Sequence, residues 1–135
     1  MSSNIEILRG AYEVFARDDL DGILPLLDEE IEWRNPEDSP VAGVWHGHQG
    51  VRDWFALARE SFDEMRFMPH EFKELPDGRV LVLLRAGARA KRSGIVMEVP
   101  WAHLVTMRDG LITHFQIYSD QKRALEAAGL QAADP

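Results

Sequence analysis

The sequence predicts an α+β domain in which helices come first and a meander of strands follows. In the first half, apolar residues recur every three or four positions, which is the spacing of one face of a helix. In the second half, Val- and Leu-rich segments are separated by turn sequences such as Pro-Asp-Gly at 76–78 and Asp-Gly at 109–110. This order predicts a curved antiparallel sheet that carries the helices on its concave face.

Two helices are expected before the first strand. The first has one apolar face, formed by residues spaced three or four positions apart: Ile5, Leu8, Tyr12 and Phe15. Asp19 can cap the second, shorter helix, because its carboxylate can accept hydrogen bonds from the unpaired N–H groups of the first turn.

The first strand is predicted to end at Pro36. Ile31, Trp33 and Asn35 alternate with charged residues, which is the period of a half-buried strand. The inner face of this strand therefore carries an aliphatic residue, a large aromatic ring and an uncharged amide. Such a face is typical of a pocket wall rather than of a catalytic centre.

The rest of the chain alternates between apolar segments and turns. Glycines and prolines predict a loop at 36–50, followed by a third helix whose aromatic stripe includes Trp54 and Phe55. Four strands are expected at 67–75, 79–90, 95–107 and 111–118. Asp120 can cap a final helix.

Composition predicts a single globular domain that spans residues 1–135. The hydrophobic fraction is 45% and the charged fraction 28%, both ordinary for a soluble protein. A net charge of −8 argues against a nucleic-acid partner, and the absence of cysteine excludes disulfides and thiolate catalysis. The sequence has neither a signal-peptide pattern nor a membrane-spanning apolar run, so no membrane partner and a cytoplasmic location are expected.

Several motifs resemble the nuclear transport factor 2-like superfamily. They are Asp-Leu-Asp-Gly at 19–22, Asn-Pro at 35–36, the glycines at 47–50 and Asp-Gly-Leu-Ile at 109–112. The segment 118–130, which begins Tyr-Ser-Asp and ends Ala-Leu-Glu-Ala-Ala-Gly-Leu, resembles the SnoaL-like, polyketide cyclase-like branch. The resemblance implies a cone-shaped fold for nearly the whole chain. It implies much less about chemistry, because one scaffold can carry many functions.

The ketosteroid isomerases of this superfamily use an aspartate before the proline that ends the first strand, a tyrosine on the first helix and a protonated carboxylic acid on a late strand. The matching positions here are Asn35, Ala11 (with Tyr12 one residue away) and Ala102. Asn35 cannot take a proton at neutral pH, so the resemblance predicts that steroid isomerase chemistry is absent. The arginine–aspartate set of the related epoxide hydrolases is missing as well.

Two charged residues are candidates for chemistry. SnoaL-like cyclases carry an acid–base aspartate late in the fold, and Asp120 is the nearby candidate, although capping of the last helix is the favoured role. Arg85 shares a strand face with Leu81 and Leu83, which the resemblance turns inward. An arginine there would need an anionic partner, either Glu98 or a ligand.

The strand at 95–107 is expected to turn Ala102 inward and Trp101 and His103 outward. An outward apolar stripe predicts a homodimer through the sheet, with Trp101 and Tyr118 near the interface. His46 and His48 are interpreted as incidental, and neither a metal nor a cofactor is predicted.

The sequence thus predicts a protein that binds a small hydrophobic molecule, with an anionic group as one option. The predicted pocket consists of Tyr12, Trp33, Asn35, Trp54, Phe55, Leu83, Arg85, Ala102 and Phe115. One alternative is an acid–base enzyme of the cyclase or isomerase type that acts on a hydrophobic ketone, with Asp120 as the base. A second alternative is a non-catalytic interaction module.

Overall fold

The computed structural model describes residues 3–17, 19–36 and 43–130, and it confirms the α+β class. The elements are α1 (Ser3–Ala16), α2 (Leu20–Ile23), a 3₁₀ turn (Leu24–Leu26), β1 (Leu27–Arg34), β2 (Val44–His46), α3 (Gly47–Ser61), β3 (Phe62–Glu74), β4 (Val80–Ala90), β5 (Val96–Arg108), β6 (Leu111–Tyr118) and α4 (Gln121–Ala127). Asp19 caps α2 as predicted, accepting a hydrogen bond from the backbone N–H of Gly22 at 3.0 Å.

The strands form one six-stranded sheet in the order β2-β1-β6-β5-β4-β3. All neighbouring strands are antiparallel except β1 and β6, which run parallel. The parallel pair places the first and last strands side by side, so Trp33 of β1 lies opposite Phe115 of β6. In the described part of the chain, no helix combines the length and the apolar character needed to cross a membrane.

Both faces of the sheet bury apolar side chains. We call the face that packs against α1, α2 and α3 the helical face, and the opposite one, partly covered by α4, the outer face. On β4, Val82 and Leu84 belong to the large cluster on the helical face. Leu81 and Leu83, which alternate with them along the strand, belong to a smaller cluster with Ala124 of α4 on the outer face.

This arrangement corrects the predicted faces of β4 and β5. Leu83, Arg85 and Ala102 lie on the outer face, because Ala102 pairs with Leu83 and packs in the cluster under α4. His103 was expected to face outward, but its side chain is fully buried among residues of the helical face. Alternation could not separate the faces, since both are apolar where α4 covers the sheet.

The same correction removes the residues on which the homodimer prediction was based. His103 and Val105 are both 0% exposed and do not form an exposed stripe. Trp101 is half-buried against the cluster of the helical face, whereas Tyr118 packs in the outer cluster. A homodimer through the sheet therefore stays a prediction, and an exposed stripe that includes His103 and Val105 no longer supports it.

Several boundaries also differ from prediction. The predicted loop at 36–50 contains β2 and the first turn of α3, while its residues 37–42 lie outside the described part of the chain. The third strand begins at Phe62, five residues before the predicted start at residue 67. In the sequence, Phe62 also continues the apolar spacing of the third helix, because one apolar residue at a junction fits either period.

Candidate functional site

The centre of the helical face is a cluster of aromatic rings around Trp33. The indole of Trp33 is 1% exposed and stacks on Phe115, with ring centroids 4.2 Å apart and an interplanar angle of 10°. Trp54 and Phe55 contact the same indole at centroid distances of 5.3 Å and 6.0 Å. Offset and tilted aromatic contacts of this kind add to the free energy gained by burial alone.

Four elements bring these rings together. The parallel register of β1 and β6 sets Trp33 beside Phe115. Helix α3 contributes Trp54 and Phe55, which are adjacent in sequence and both buried on its apolar face. Phe15 of α1 contacts Phe55 at 5.1 Å, so the first and third helices meet over the sheet.

A pair of hydrogen-bonded polar side chains lies inside this aromatic cluster. Tyr12 of α1 and His103 of β5 are 5% and 0% exposed, and the Tyr12 hydroxyl lies 2.6 Å from Nδ1 of His103. Phe115 and Phe67 pack against the imidazole at centroid distances of 4.4 Å and 5.1 Å. The hydrogen bond joins residues 91 positions apart in sequence, so it ties the first helix to the sheet.

Burial keeps both members of this pair neutral. It lowers the pKa of His103 from 6.5 to about 3, because the charged imidazolium would lose its hydration. Burial also raises the pKa of Tyr12 well above its usual value of 10. At pH 7, a neutral imidazole therefore faces a protonated phenol.

Two buried nitrogen atoms of the cluster lack a hydrogen-bond partner within the described residues. They are Nε1 of Trp33 and Nε2 of His103. The indole nitrogen is always a donor, whereas the imidazole nitrogen can be either a donor or an acceptor, depending on the tautomer. Leaving a buried polar atom unpaired costs about 1–3 kcal/mol, so two such atoms in one cluster need an explanation.

A small void lies in the same cluster, with Tyr12 and Trp33 in its wall, and His103 is not among the residues that line it. It offers a volume of about 10 Å³ for the centre of a water molecule, enough for about one water. Its wall consists of Leu8, Ala11, Tyr12, Phe15, Ile23, Leu26, Leu27, Trp33, Ile112 and Phe115. Among the described residues, this void on the helical face is far smaller than the open, ligand-sized pocket expected there.

The structure brings together six of the nine predicted pocket residues. Tyr12, Trp33 and Phe115 line the void itself. Trp54 and Phe55 flank Trp33, and Asn35 stands at the edge, where its side-chain oxygen accepts a hydrogen bond from Nε1 of Trp54 at 2.6 Å. The remaining three are those on the outer face, Leu83, Arg85 and Ala102.

Comparison with known proteins identifies the family. Residues 8–115 match the SnoaL-like domain. The chain belongs to the SnoaL-like domain family. This assignment confirms the resemblance to the SnoaL-like branch, and the motifs at 19–22, 35–36, 47–50 and 109–112 lie within the matched residues.

Solved structures and curated relatives agree with this assignment. TerC, crystallised with polyporic acid, is 30% identical to this SnoaL-like domain, with a TM-score of 0.78 over 93% of this chain and 96% of TerC. A nuclear transport factor 2-like protein of unknown function from Burkholderia pseudomallei is 27% identical, with a TM-score of 0.80 over 95% of this chain and 98% of that one. An uncharacterized protein of Mycobacterium tuberculosis is 28% identical over 120 residues, 87% of this chain and 90% of its own length.

Asp120 lies apart from the aromatic cluster of this SnoaL-like domain. It is the N-cap of α4, and its carboxylate accepts a hydrogen bond from the backbone N–H of Lys122 at 2.9 Å. Together with Gln116, Tyr118 and Arg123, it lines a separate surface cleft of about 230 Å³. The capping role therefore accounts for the observed contact of this carboxylate.

Sequence reasoning missed His103 as a site residue, although a signal was present. The position that matches the isomerase tyrosine is Ala11, and the next residue is Tyr12. The position that matches the isomerase acid is Ala102, and the next residue is His103. A shift by one residue in both places brings the two polar residues together, as the structure does. Among the described residues, no three histidine or carboxylate side chains are arranged to hold a metal ion.

Proposed function

We propose that this SnoaL-like domain binds a small hydrophobic molecule within the aromatic cluster of the helical face. The observation that carries this proposal is the pair of buried, unpaired nitrogen atoms, Nε1 of Trp33 and Nε2 of His103, among apolar rings. Ligand sites of small molecules typically combine apolar walls with a few polar groups that fix orientation. A ligand oxygen placed at either nitrogen would satisfy a group that the described part of the chain leaves without a partner.

The chemistry of the cluster favours a neutral ligand. Its polar members are a neutral imidazole, a protonated phenol and an indole. The arginine that was considered as an anion partner, Arg85, forms an ion pair with Glu98 on the outer face. An anionic ligand would lose its hydration without gaining a cation, which is costly in an apolar environment.

Binding requires the void to widen. A volume of about 10 Å³ is far below that of ordinary ligand pockets, which measure roughly 300–1,000 Å³. One wall of the void consists of Ile23, Leu26 and Leu27, which come from the single turn of α2, the 3₁₀ turn and the start of β1. Single helical turns have little stability of their own. Outward displacement of α2 and the 3₁₀ turn is therefore the least costly way to admit a ligand.

The relative TerC supports binding as a function of this scaffold. TerC was co-crystallised with polyporic acid, and it is similar to this chain over nearly its full length. The fold thus accommodates a small molecule in a protein of 30% identity. The proposal for this chain nevertheless depends on its own residues Trp33 and His103.

An acid–base enzyme that acts on a hydrophobic ketone is the second candidate. A neutral imidazole can donate a hydrogen bond to a carbonyl oxygen and stabilise negative charge that develops there. His103 is a buried neutral imidazole with one unpaired nitrogen, which fits that role. The reaction would also need a base, and neither Asn35 nor Asp120 places a carboxylate in the aromatic cluster.

A binding screen with matched tryptophan variants tests the proposal. Neutral tricyclic ketones such as 9-fluorenone would be titrated into the wild type, Trp33→Phe and Trp45→Phe, with affinity measured by calorimetry. We expect micromolar binding and a loss of about tenfold in Trp33→Phe, equivalent to one hydrogen bond. The control Trp45→Phe makes the same change at a half-buried tryptophan that does not line the void, and its affinity should be unchanged. Equal affinities for all three proteins would refute binding at Trp33.

A further inference from the structure

The hydrogen bond between Tyr12 and His103 determines more than the position of the two rings. His103 is buried on every side, and its other ring contacts are the apolar rings of Phe67 and Phe115. Tyr12 likewise contacts the apolar ring of Phe72 at a centroid distance of 5.9 Å. Each polar group therefore depends on the other for its hydrogen bond.

The geometry allows only one economical assignment of the protons. A neutral imidazole has one N–H donor and one acceptor nitrogen, and a protonated phenol must place its own hydrogen somewhere. His103 Nδ1, at 2.6 Å, is the acceptor that the described residues offer to the Tyr12 hydroxyl. If Nδ1 carried the hydrogen instead, the phenol hydrogen would be buried without an acceptor, which is unfavourable. Nδ1 therefore accepts, and Nε2 carries the hydrogen.

We propose that Tyr12 is a specificity-determining positioning residue, which holds His103 in the Nε2–H tautomer so that Nε2 of His103 can only donate a hydrogen bond to a ligand. This inference rests on the proposed binding function. With His103 in this form, both unpaired atoms, Nε2 of His103 and Nε1 of Trp33, are N–H groups. The ligand atom that fits an N–H group of this kind is an oxygen without a hydrogen, such as the carbonyl of a ketone or quinone.

A hydroxyl at the same place is disfavoured for a specific reason. Its oxygen can accept from Nε2–H, but its own hydrogen then needs an acceptor. Neither unpaired atom of the cluster can provide one when both are donors. A ketone should therefore bind about tenfold more tightly than the corresponding alcohol, which is the usual effect of one unpaired buried donor.

Removal of the Tyr12 hydroxyl should change this preference. In Tyr12→Phe, Nδ1 has no donor to accept from, and the imidazole can exchange between its two tautomers. Nε2 then becomes an acceptor for part of the time and can receive the hydrogen of an alcohol. The effect on Nε2 passes through His103, because the Tyr12 hydroxyl bonds to Nδ1 of the same imidazole ring. Tyr12 also lines the void, so the tautomer of His103 is measured separately from ligand affinity.

Nuclear magnetic resonance of the ligand-free protein measures the tautomer directly. Long-range ¹H–¹⁵N correlation spectra at pH 7 distinguish protonated from unprotonated imidazole nitrogens. For wild-type His103 we expect an unprotonated Nδ1 and a protonated Nε2, and for Tyr12→Phe a population-averaged pair. The matched control Tyr118→Phe removes a hydroxyl on the outer face and should leave the His103 signals unchanged. A hydrogen on Nδ1 in the wild type would overturn the inference.

Binding of a matched series then measures the specificity. Fluorene, 9-fluorenol and 9-fluorenone share one ring system and differ only at one carbon. In the wild type and in Tyr118→Phe, the ketone should bind about tenfold more tightly than the alcohol, and in Tyr12→Phe the difference should fall to about threefold or less.

The outcomes separate the two proposals. If the three compounds bind with equal affinity, or if Tyr12→Phe keeps the full preference for the ketone, the inference about Tyr12 is wrong while binding itself stands. If none of them binds to the wild type, the proposed function fails and the selectivity fails with it. The tautomer measurement needs no ligand, so it decides the role of Tyr12 in either case.

Discussion

On the helical face of the sheet, His103 is buried among aromatic rings and hydrogen-bonded to Tyr12, whereas its neighbours Ala102 and Leu104 are buried on the outer face among aliphatic side chains under α4. One strand thus contributes to two cores of different composition. The outer cluster consists of leucines, alanines and one tyrosine ring. The helical cluster contains the two buried side-chain nitrogens without a partner.

The difference in composition between the two clusters indicates which of them serves packing alone. A core that only stabilises the fold gains nothing from unpaired polar atoms, because each lowers the free energy of unfolding. The outer cluster follows this rule, and the helical cluster does not. The unpaired nitrogens among aromatic rings are therefore the reason why we propose the helical face as the ligand site.

The largest effect that tests this contrast is expected for Leu81→Ala. Leu81 is 0% exposed and lies in the outer cluster, so its truncation should lower the free energy of unfolding by about 2–5 kcal/mol. Affinity for 9-fluorenone should stay within about twofold of the wild type, because the residue faces away from Trp33. Urea unfolding and calorimetry measure the two quantities.

Trp33→Phe should give the reverse pattern. It removes an unpaired N–H group while an aromatic ring remains, so affinity should fall while stability changes by about 1 kcal/mol or less. Leu83→Ala, at a half-buried position of the outer cluster, is the control with a smaller loss of stability. A loss of affinity in Leu81→Ala as large as that in Trp33→Phe would mean that the two faces are not separable.

At pH 5, the buried neutral His103 of the helical face should lower the free energy of unfolding by about 2 kcal/mol relative to neutral pH. The pKa of His103 is about 3 in the folded state, compared with 6.5 for the solvent-exposed imidazole of an unfolded chain. Between these values the unfolded state binds a proton that the folded state does not, so stability is complete above pH 6.5 and falls as the pH decreases toward 3. The slope is about 1.4 kcal/mol per pH unit.

Urea unfolding between pH 4.5 and 7.5 measures this dependence. The double variant Tyr12→Phe/His103→Phe replaces both partners by apolar rings. Below pH 6.5, the free energy of unfolding of this variant should fall less steeply with acid than that of the wild type, by about 1.4 kcal/mol per pH unit. His70→Gln removes an exposed imidazole and leaves His103 and Tyr12 in place, so it serves as the single-histidine control. Identical pH profiles for the wild type and the double variant would show that His103 is not buried in its neutral form.

The sequence was sufficient for the fold class and for most strands, because turn sequences mark where strands end. The faces of β4 and β5 were wrong, and the cause is physical. Side chains alternate with a period of two, so an error of one residue moves the whole set to the other face. Ala102, the position matched to the isomerase acid, lies in the outer cluster, whereas His103 is buried on the helical face.

The polar site was harder to predict than the aromatic one. Trp33 and Phe115 face the helices as expected, since the charged residues around Trp33 in β1 define its face. The strand around His103 has apolar residues on both sides and gives no such indication. The pairing with Tyr12 spans 91 positions and depends on how α1 crosses the sheet, which no local pattern encodes.

The smallest effect concerns α4, the helix that covers the outer face. Asp120 caps this helix through the N–H of Lys122, so Asp120→Ala should lower stability by about 1 kcal/mol. Asp120→Asn retains a side-chain oxygen at the same place and should remain within a few tenths of a kcal/mol of the wild type. The ion pair with Arg123 spans 4.0 Å between exposed side chains and adds little to this difference.

This pair of variants also decides between the cap and the acid–base role once predicted for Asp120. Asparagine can cap a helix but cannot exchange a proton near neutral pH. If the carboxylate only caps α4, Asp120→Asn should match the wild type in urea unfolding and in the hydrogen exchange of the α4 amides, and Asp120→Ala should exchange faster there. An equal loss of stability in both variants would show that charge, rather than the cap, holds α4 on the outer face. Loss of turnover of a ketone in Asp120→Asn, at unchanged stability, would instead assign chemistry to the surface cleft and remove the helical face from its role as the site.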